Sequence, residues 1–273
     1  MEFLLSSVNV IVAVAIGLPL VMYLLQDQLI FHPQRLPDAH RESIARRIPN
    51  LENLFIEGAD GVRLHAWHLK PAPGAPLVMY FGGNAEEVSW MVEEAVRRAP
   101  GTGWLIVDYR GYGASGGSPS EKALVSDALR WYDSISAKTA NIYAFGRSLG
   151  SGVAVQLAAE RPLAGVILVA PFDSLVEVAK RHYPYLPVSL MLRHRFDSIE
   201  RAPRIKAPLL CLVAPRDEII PAAHAKRLFD AWAGPKRWVD LDGAGHNSTD
   251  EVPVFWRAIR TFLDKKDGPA NPS

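Results

Sequence analysis

The stretch Asn141–Glu160, NIYAFGRSLGSGVAVQLAAE, joins a short apolar run to a helical segment through the turn Gly146-Arg147-Ser148-Leu149-Gly150. The apolar run predicts a buried strand, and the alanine-rich segment after the turn predicts a helix. In so sharp a strand-to-helix turn, the flanking glycines avoid side-chain clashes and the serine projects above the sheet. The other interpretation is an ordinary turn in which Ser148 caps the helix. The context favours Ser148 as a nucleophile.

Apolar runs alternate with helical stretches along most of the chain. Two runs come first, LENLFIE and VRLHAWHLK, and the turn Ala59-Asp60-Gly61 between them predicts a hairpin. From Leu77 onward the apolar runs are LVMYF, WLIVDY, NIYAFG, GVILVAP, PLLCLVAP and RWVDLD. Continuous apolar strands alternating with helices are typical of a mostly parallel sheet covered on both faces. The sequence therefore predicts an α/β domain with eight strands over residues 49–265.

A serine nucleophile needs a general base, and the base needs an orienting acid. Where a serine acts in this strand–turn–helix setting, the acid and the histidine follow it in that order. Asp217 comes after the strand PLLCLVAP and His246 comes after RWVDLD, both at the edge of the sheet where Ser148 lies. We predict the triad Ser148, Asp217 and His246. Glu218 and Asp173 are the alternatives for the acid.

The tetrahedral intermediate of such a reaction needs two backbone donors for its oxyanion. The first is expected at Leu149, directly after the nucleophile. The second is expected in the loop Gly82-Gly83-Asn84-Ala85 after LVMYF, where glycines let the backbone approach a substrate. We predict Asn84 as this donor, with Gly83 as the close alternative. A plain β-turn is the other interpretation of the loop.

A second glycine-rich stretch, Gly111–Gly116, matches the spacing G-x-G-x-x-G after the strand WLIVDY. A dinucleotide-binding fingerprint requires those glycines to open a helix. Here Gly117, Ser118 and Pro119 intervene, and Ser120 is placed to cap the following helix. We therefore expect no nucleotide cofactor, and a loop that shapes the rim of the site instead.

The bulk composition excludes several other classes. The 273 residues include 30 Lys and Arg against 29 Asp and Glu, which gives no electrostatic case for nucleic acid as a partner. The only cysteine, Cys211, lies in an apolar strand, so it predicts neither a disulfide nor a thiolate metal cluster. We expect neither a cofactor nor a metal. The composition leaves the oligomeric state open.

The amino terminus predicts a membrane anchor. Phe3 to Leu25 holds no charged residue, and as a helix it would be roughly 35 Å long against a hydrocarbon core of about 30 Å. A cleaved signal peptide is the alternative, but the chain starts with Met-Glu-Phe and lacks a clear cleavage site. We predict an anchor at residues 1–26 and a linker at 27–48. The arginines of the linker favour a cytoplasmic domain.

Two further segments are predicted from their composition. Residues 172–207 lie where a cap would cover the site, and they interleave basic and apolar side chains. Such a cap beside an anchor suits a lipid-like acyl substrate, although a solvated helical cover explains the pattern equally well. The polar tail, residues 266–273, predicts disorder.

Several motifs together resemble a known family, the membrane-anchored α/β hydrolases similar to Bem46, ABHD13 and ABHD17. These motifs span roughly residues 20 to 265. They are Leu29-Ile30-Phe31-His32-Pro33, Gly82-Gly83-Asn84-Ala85, Asp108-Tyr109-Arg110-Gly111-Tyr112-Gly113 with Ser115, Gly146–Gly150, Asp217-Glu218-Ile219-Ile220-Pro221 and Gly245-His246-Asn247.

The resemblance implies an α/β-hydrolase fold and a serine hydrolase whose triad is Ser148, Asp217 and His246. One departure is that the family usually has a histidine where this chain has Gly82, which changes how the oxyanion loop is ordered. We expect hydrolysis of a carboxylic ester or thioester. The alternatives are a serine peptidase of the same fold and a non-catalytic membrane scaffold.

Overall fold

The computed structural model describes residues 17–137, 139 and 141–264. The strands are β1 (Leu51–Glu57), β2 (Arg63–Leu69), β3 (Leu77–Phe81), β4 (Gly103–Val107), β5 (Ile142–Arg147), β6 (Gly165–Val169), β7 (Leu209–Val213) and β8 (Lys236–Asp240). The helices are α1 (described over 17–30), α2 (Asp38–Arg47), α3 (Trp90–Arg98), α4 (Glu121–Ser136), α5 (Leu149–Glu160), α6 (Leu175–His182), α7 (Val188–Met191), α8 (Ser198–Arg201), α9 (Ala222–Ala231) and α10 (Pro253–Leu263). The predicted alternation is present throughout.

Within the described residues the strands form one eight-stranded sheet in the order β1-β2-β4-β3-β5-β6-β7-β8. The β1–β2 hairpin and the β2–β4 pair are antiparallel, and all other pairs are parallel. Phe81 at the end of β3 is in register with Val107 and with Gly146 near the end of β5. The loops after these strands therefore meet at one edge of the sheet. The predicted mostly parallel, eight-stranded sheet is confirmed.

The sheet is buried on both faces. Leu77, Met79 and Phe81 of β3 belong to one hydrophobic core, whereas Val78 and Tyr80 belong to the other. Successive side chains of a strand point to opposite faces, so a strand that is covered on both sides must be apolar at every position. This explains why the central strands read as continuous apolar runs.

The two ends of the chain lie largely outside this description. Of the predicted anchor, residues 1–26, the structure describes only the last ten residues, and the predicted tail 266–273 lies wholly outside it. In the described ranges, no helix combines the length and the apolar character needed to cross a bilayer.

The predicted linker, residues 27–48, contains regular structure. Helix α1 continues to residue 30, and α2 occupies residues 38–47. Phe31 and Leu36 between them are buried in the two cores. Pro37 directly precedes α2, and a proline is tolerated at the start of a helix because the first amides have no intrahelical partner.

The segment 172–207, predicted as a cap, contains α6, α7 and α8. Ser174 caps α6 by accepting a hydrogen bond from the Glu177 amide at 3.2 Å. Ser120 likewise caps α4, since its hydroxyl accepts from the Ala123 amide, as the sequence predicted.

Candidate active site

Ser148 lies at the turn between β5 and α5 in an unusual backbone conformation. Its φ is 50° and its ψ is −118°, a region that a side chain with a Cβ rarely adopts. Close packing holds the turn. A Cβ on Gly146 would collide with the carbonyl of Gly150, and one on Gly150 would collide with the Phe81 carbonyl. The two glycines therefore allow the approach of strand and helix that projects the serine.

The structure brings the three residues of the predicted triad together. The His246 Nε2 lies 3.0 Å from the Ser148 Oγ, and the His246 Nδ1 lies 2.7 Å from the Asp217 Oδ2. The other oxygen of Asp217 accepts hydrogen bonds from the amides of Ile219 and Ile220 at 2.9 and 2.7 Å. With Nδ1 protonated and donating to Asp217, Nε2 is free to accept the serine proton.

The two alternative acids lie elsewhere. Glu218 is exposed and has no hydrogen bond to the described part of the chain. Asp173 is buried, but its carboxylate contacts the His224 Nδ1 at 2.7 Å and accepts a hydrogen bond from the Arg227 Nε. Burial would raise the pKa of Asp173, yet hydrogen bonds from His224 and Arg227 outweigh it and leave this pKa below its ordinary value. Asp173 therefore serves a separate ion pair.

The two predicted oxyanion donors come from α5 and from the loop after β3. Leu149 is the first residue of α5, where helix amides have no intrahelical acceptor. The Gly83 amide is already engaged, because it donates to the Glu86 Oε2 at 2.6 Å. The Asn84 amide makes no hydrogen bond to another described residue. Of the two loop candidates, Asn84 is thus the one with a free amide.

Glu86 orders this loop, a role that no motif in the sequence predicted. Its carboxylate accepts hydrogen bonds from the Tyr80 hydroxyl at 2.6 Å and the Trp90 indole at 3.0 Å, besides the Gly83 amide. A Cβ on Gly82 would lie 2.6 Å from the Val88 Cγ1, so the loop packs closely at this position. Glu86 therefore orders the loop through these three hydrogen bonds.

The charge of Glu86 is balanced within the site. The Arg147 Nη1 lies 3.8 Å from the Glu86 Oε2. Burial would lower the pKa of the Arg147 guanidinium, but neighbouring Tyr80 and Glu86 raise it above its ordinary value. Burial and the Glu86 charge also raise the pKa of Tyr80 well above its usual range, so this hydroxyl remains a donor.

Residues of two other motifs donate hydrogen bonds to the side chain of Asn84. Its Oδ1 accepts from the His32 amide at 3.0 Å and from the Tyr112 hydroxyl at 3.2 Å. Burial raises the pKa of Tyr112 to about 12, which keeps this hydroxyl protonated. The Tyr109 hydroxyl donates to the Gly82 carbonyl at 3.0 Å. The glycine-rich loop after β4 thus braces the loop after β3.

Ser148 and His246 line a cavity of about 890 Å³. Its walls come from α1, the cap and the loop after β7, and most of the side chains are apolar. They include Met22, Leu29, Val178, Leu186, Met191 and Ile219. The sequence predicted the cap as a cover, but it did not predict that α1 would form a wall.

The chain resembles known proteins over nearly its whole length. A family model described as serine aminopeptidase, S33, matches residues 75–196. The chain is 38% identical over 268 residues to the uncharacterized protein Rv2307c of Mycobacterium tuberculosis, covering 95% of this chain and 94% of that protein. It is 30% identical to the uncharacterized membrane protein YNL320W of Saccharomyces cerevisiae, covering 81% and 82%.

Two further likenesses concern enzymes. The chain is 27% identical to the lysophosphatidylserine lipase ABHD12 of Rattus norvegicus, over 79% of this chain and 67% of that protein. The esterase Pf2001 of Pyrococcus furiosus shares the fold with a TM-score of 0.64 at 17% sequence identity, covering 86% of this chain and 96% of the esterase.

Proposed function

The chain belongs to the α/β-hydrolase family, and from this premise we propose that it is a serine hydrolase acting on carboxylic ester or thioester bonds. The observation that carries the proposal is the chain of hydrogen bonds from Asp217 through His246 to Ser148, with contacts of 2.7 and 3.0 Å. The relative ABHD12 is a lysophosphatidylserine lipase, and Pf2001, which shares the fold, is an esterase; both support the proposal.

The proposed reaction proceeds in two halves. His246 takes the proton of Ser148 as the Ser148 oxygen attacks the acyl carbonyl, and Asp217 stabilises the imidazolium. The amides of Leu149 and Asn84 donate to the oxyanion. The tetrahedral intermediate then collapses, and His246 gives the proton to the departing alcohol or thiol. Water, deprotonated by His246, releases the acid from the acyl-enzyme and restores the serine.

A fluorophosphonate probe tests the nucleophile directly. We expect covalent labelling of the wild-type chain and none of Ser148→Ala. Ser151→Ala is a matched control, since Ser151 is buried one turn along α5 and its hydroxyl bonds the Ser148 carbonyl. An unlabelled wild type that is folded would refute the serine hydrolase proposal and favour a non-catalytic scaffold.

The substrate that we propose is a lipid-like acyl compound. The apolar lining of the cavity favours an acyl chain over a polar group, because burying hydrocarbon releases free energy of about 0.8 kcal/mol per CH₂. The relative ABHD12, a lysophosphatidylserine lipase, supports the same class of substrate.

A serine peptidase is the second candidate, because the matching family model is described as a serine aminopeptidase. p-Nitrophenyl esters of increasing chain length, compared with aminoacyl p-nitroanilides, separate the two. We expect esters of medium or long chains to be cleaved best. Preferential cleavage of the anilides would establish the peptidase.

We also propose that residues 1–26 anchor the protein in a membrane, with the catalytic domain on the cytoplasmic side. The uncharged run from Phe3 to Leu25 and a relative named as a membrane protein support the anchor. Arg35, Arg41, Arg46 and Arg47 after it support the orientation. Carbonate extraction and protease protection of the full chain test the two parts.

A further inference from the structure

Large hydrophobic side chains are exposed at essentially one place on the described surface. All but one of them, Val96 of α3, lie on α1, on the cap segment 183–190 or at Ile219. Tyr185 is 97% exposed and Leu190 is 88% exposed, values that neither residue would show if it packed against the protein. A concentration of this kind is typical of a surface that meets another apolar phase.

This apolar rim surrounds the opening of the cavity. Tyr23 and Leu29 of α1, Tyr183 of the cap and Ile219 after β7 are exposed, and all four also line the cavity that contains Ser148. The exposed apolar surface and the lining of the cavity are therefore continuous.

The parts of the rim are fixed to one another. The Gln26 side chain of α1 accepts from the Arg193 amide at 2.8 Å and donates to the Met191 carbonyl at 3.3 Å. The Asp27 carboxylate contacts Arg193 and His194 at 2.9 and 2.7 Å. The apolar side chains of helix α1 and of the cap consequently form one continuous part of the apolar rim.

We infer that this rim docks on the surface of a lipid bilayer, so that the cavity opens toward the lipid and not toward water. A bilayer is the occupant that the chain itself indicates, because α1 includes the end of the run Val10–Leu25, in which every residue is apolar, Gly or Pro. The exposed aromatic and leucine side chains of the cap suit the boundary between headgroups and acyl chains. The entry of an acyl substrate through this opening rests on the proposed function. The docking of the rim on a bilayer does not.

A fluorescent label tests the docking without any catalytic readout. The only cysteine, Cys211, is buried in β7, so a cysteine at position 190 is the single accessible attachment site. We expect an environment-sensitive label on Leu190→Cys, in the full chain reconstituted into phosphatidylcholine vesicles, to shift its emission to shorter wavelength and to be quenched by brominated lipid.

The matched control carries the label on Val96→Cys, which is exposed on α3 away from the rim. This label should report water with or without vesicles. Identical behaviour at both positions would overturn the proposal. A shift at position 190 that appears without lipid as the protein concentration rises would identify a second copy of the chain as the occupant, and would overturn it as well.

A second experiment connects docking to turnover. Tyr185 and Leu190 are outside the cavity lining. We expect the double variant Tyr185→Glu/Leu190→Glu to lose about tenfold or more activity on a long-chain ester held in vesicles, and to retain activity on a short, water-soluble ester. Equal loss on both substrates would contradict docking. A wild type inactive on both would refute the proposed function, while the label experiment would still decide the docking.

Discussion

Asp217 and Glu218 are neighbours with the same functional group, yet only one of them faces the histidine. The Asp217 carboxylate is buried and contacts the His246 Nδ1, whereas Glu218 is exposed. We predict that Asp217→Asn lowers kcat by about four orders of magnitude, because the amide no longer fixes the tautomer or stabilises the imidazolium. Steady-state kinetics and circular dichroism check this. Glu218→Gln is the matched control and should retain activity, and the reverse pattern would transfer the acid role to Glu218.

Glu86 is expected to act on the reaction through the loop after β3, which we propose supplies an oxyanion donor. In Glu86→Gln, the amide oxygen can still accept hydrogen bonds from Tyr80 and Trp90. The amide NH₂ group then takes the place of the oxygen that accepts from the Gly83 amide, so that hydrogen bond is lost. We predict that kcat falls about tenfold to a hundredfold, less than for removal of a donor, because the donor is only displaced.

The Michaelis constant should stay nearly unchanged, and affinity for a trifluoromethyl ketone, whose adduct carries an oxyanion, should fall in step with kcat. Glu87→Gln is the control, since Glu87 accepts from the amide and hydroxyl of Ser89 instead. A loss confined to the Michaelis constant would mean that Glu86 only shapes the cavity.

Asp217 and Glu86 also show how much of the site can be predicted from the sequence. Asp217 follows a recognisable strand, and residues at the ends of parallel strands meet at one edge, so its position was predictable. Glu86 lies in no motif, and its contacts depend on side chains of β3, the loop and α3 that only the folded chain brings together. The same holds for His32, which reaches Asn84 across more than fifty residues.

At the scale of elements, the turn between β5 and α5 depends on how closely the helix approaches β3. A methyl group on Gly150 would collide with the Phe81 carbonyl, which belongs to a central strand that cannot move aside. We predict that Gly150→Ala destabilises the protein by about 1–3 kcal/mol or more. Urea unfolding measures this. Gly116→Ala, where a Cβ would meet only ordinary contacts, should be close to neutral, and equal stability losses would contradict the packing argument.

The elements themselves were largely predictable, and their spatial order was not. Each of the apolar runs became a strand, because burial on both faces leaves a continuous hydrophobic signal. The position of β4 between β2 and β3 depends on a chain crossing that no local pattern encodes. Likewise, residues 27–48 were predicted only as a linker, whereas α1 continues to residue 30 and α2 forms directly after Pro37.

For the molecule as a whole, Gln26 joins the amino-terminal helix to the cap. It is buried although it lies on a mostly exposed helix, and its bonds to Met191 and Arg193 join the two elements beside the contacts of Asp27 to Arg193 and His194. The cavity wall formed by α1 therefore depends in part on this side chain. A loosened junction would leave the triad intact and weaken only the part of the cavity that receives a long chain.

We predict that Gln26→Ala raises the hydrogen-exchange rate of the Arg193 amide about fivefold or more, since that amide loses its acceptor. The same variant should lower kcat/KM for long-chain esters while short esters are cleaved as before. Gln28→Ala is the matched control, because Gln28 is exposed on the same helix and makes no side-chain hydrogen bond to a described residue. If both variants behave as the wild type, α1 is not held to the cap through Gln26. If both esters are affected equally, the junction acts on the triad and not on the distal cavity.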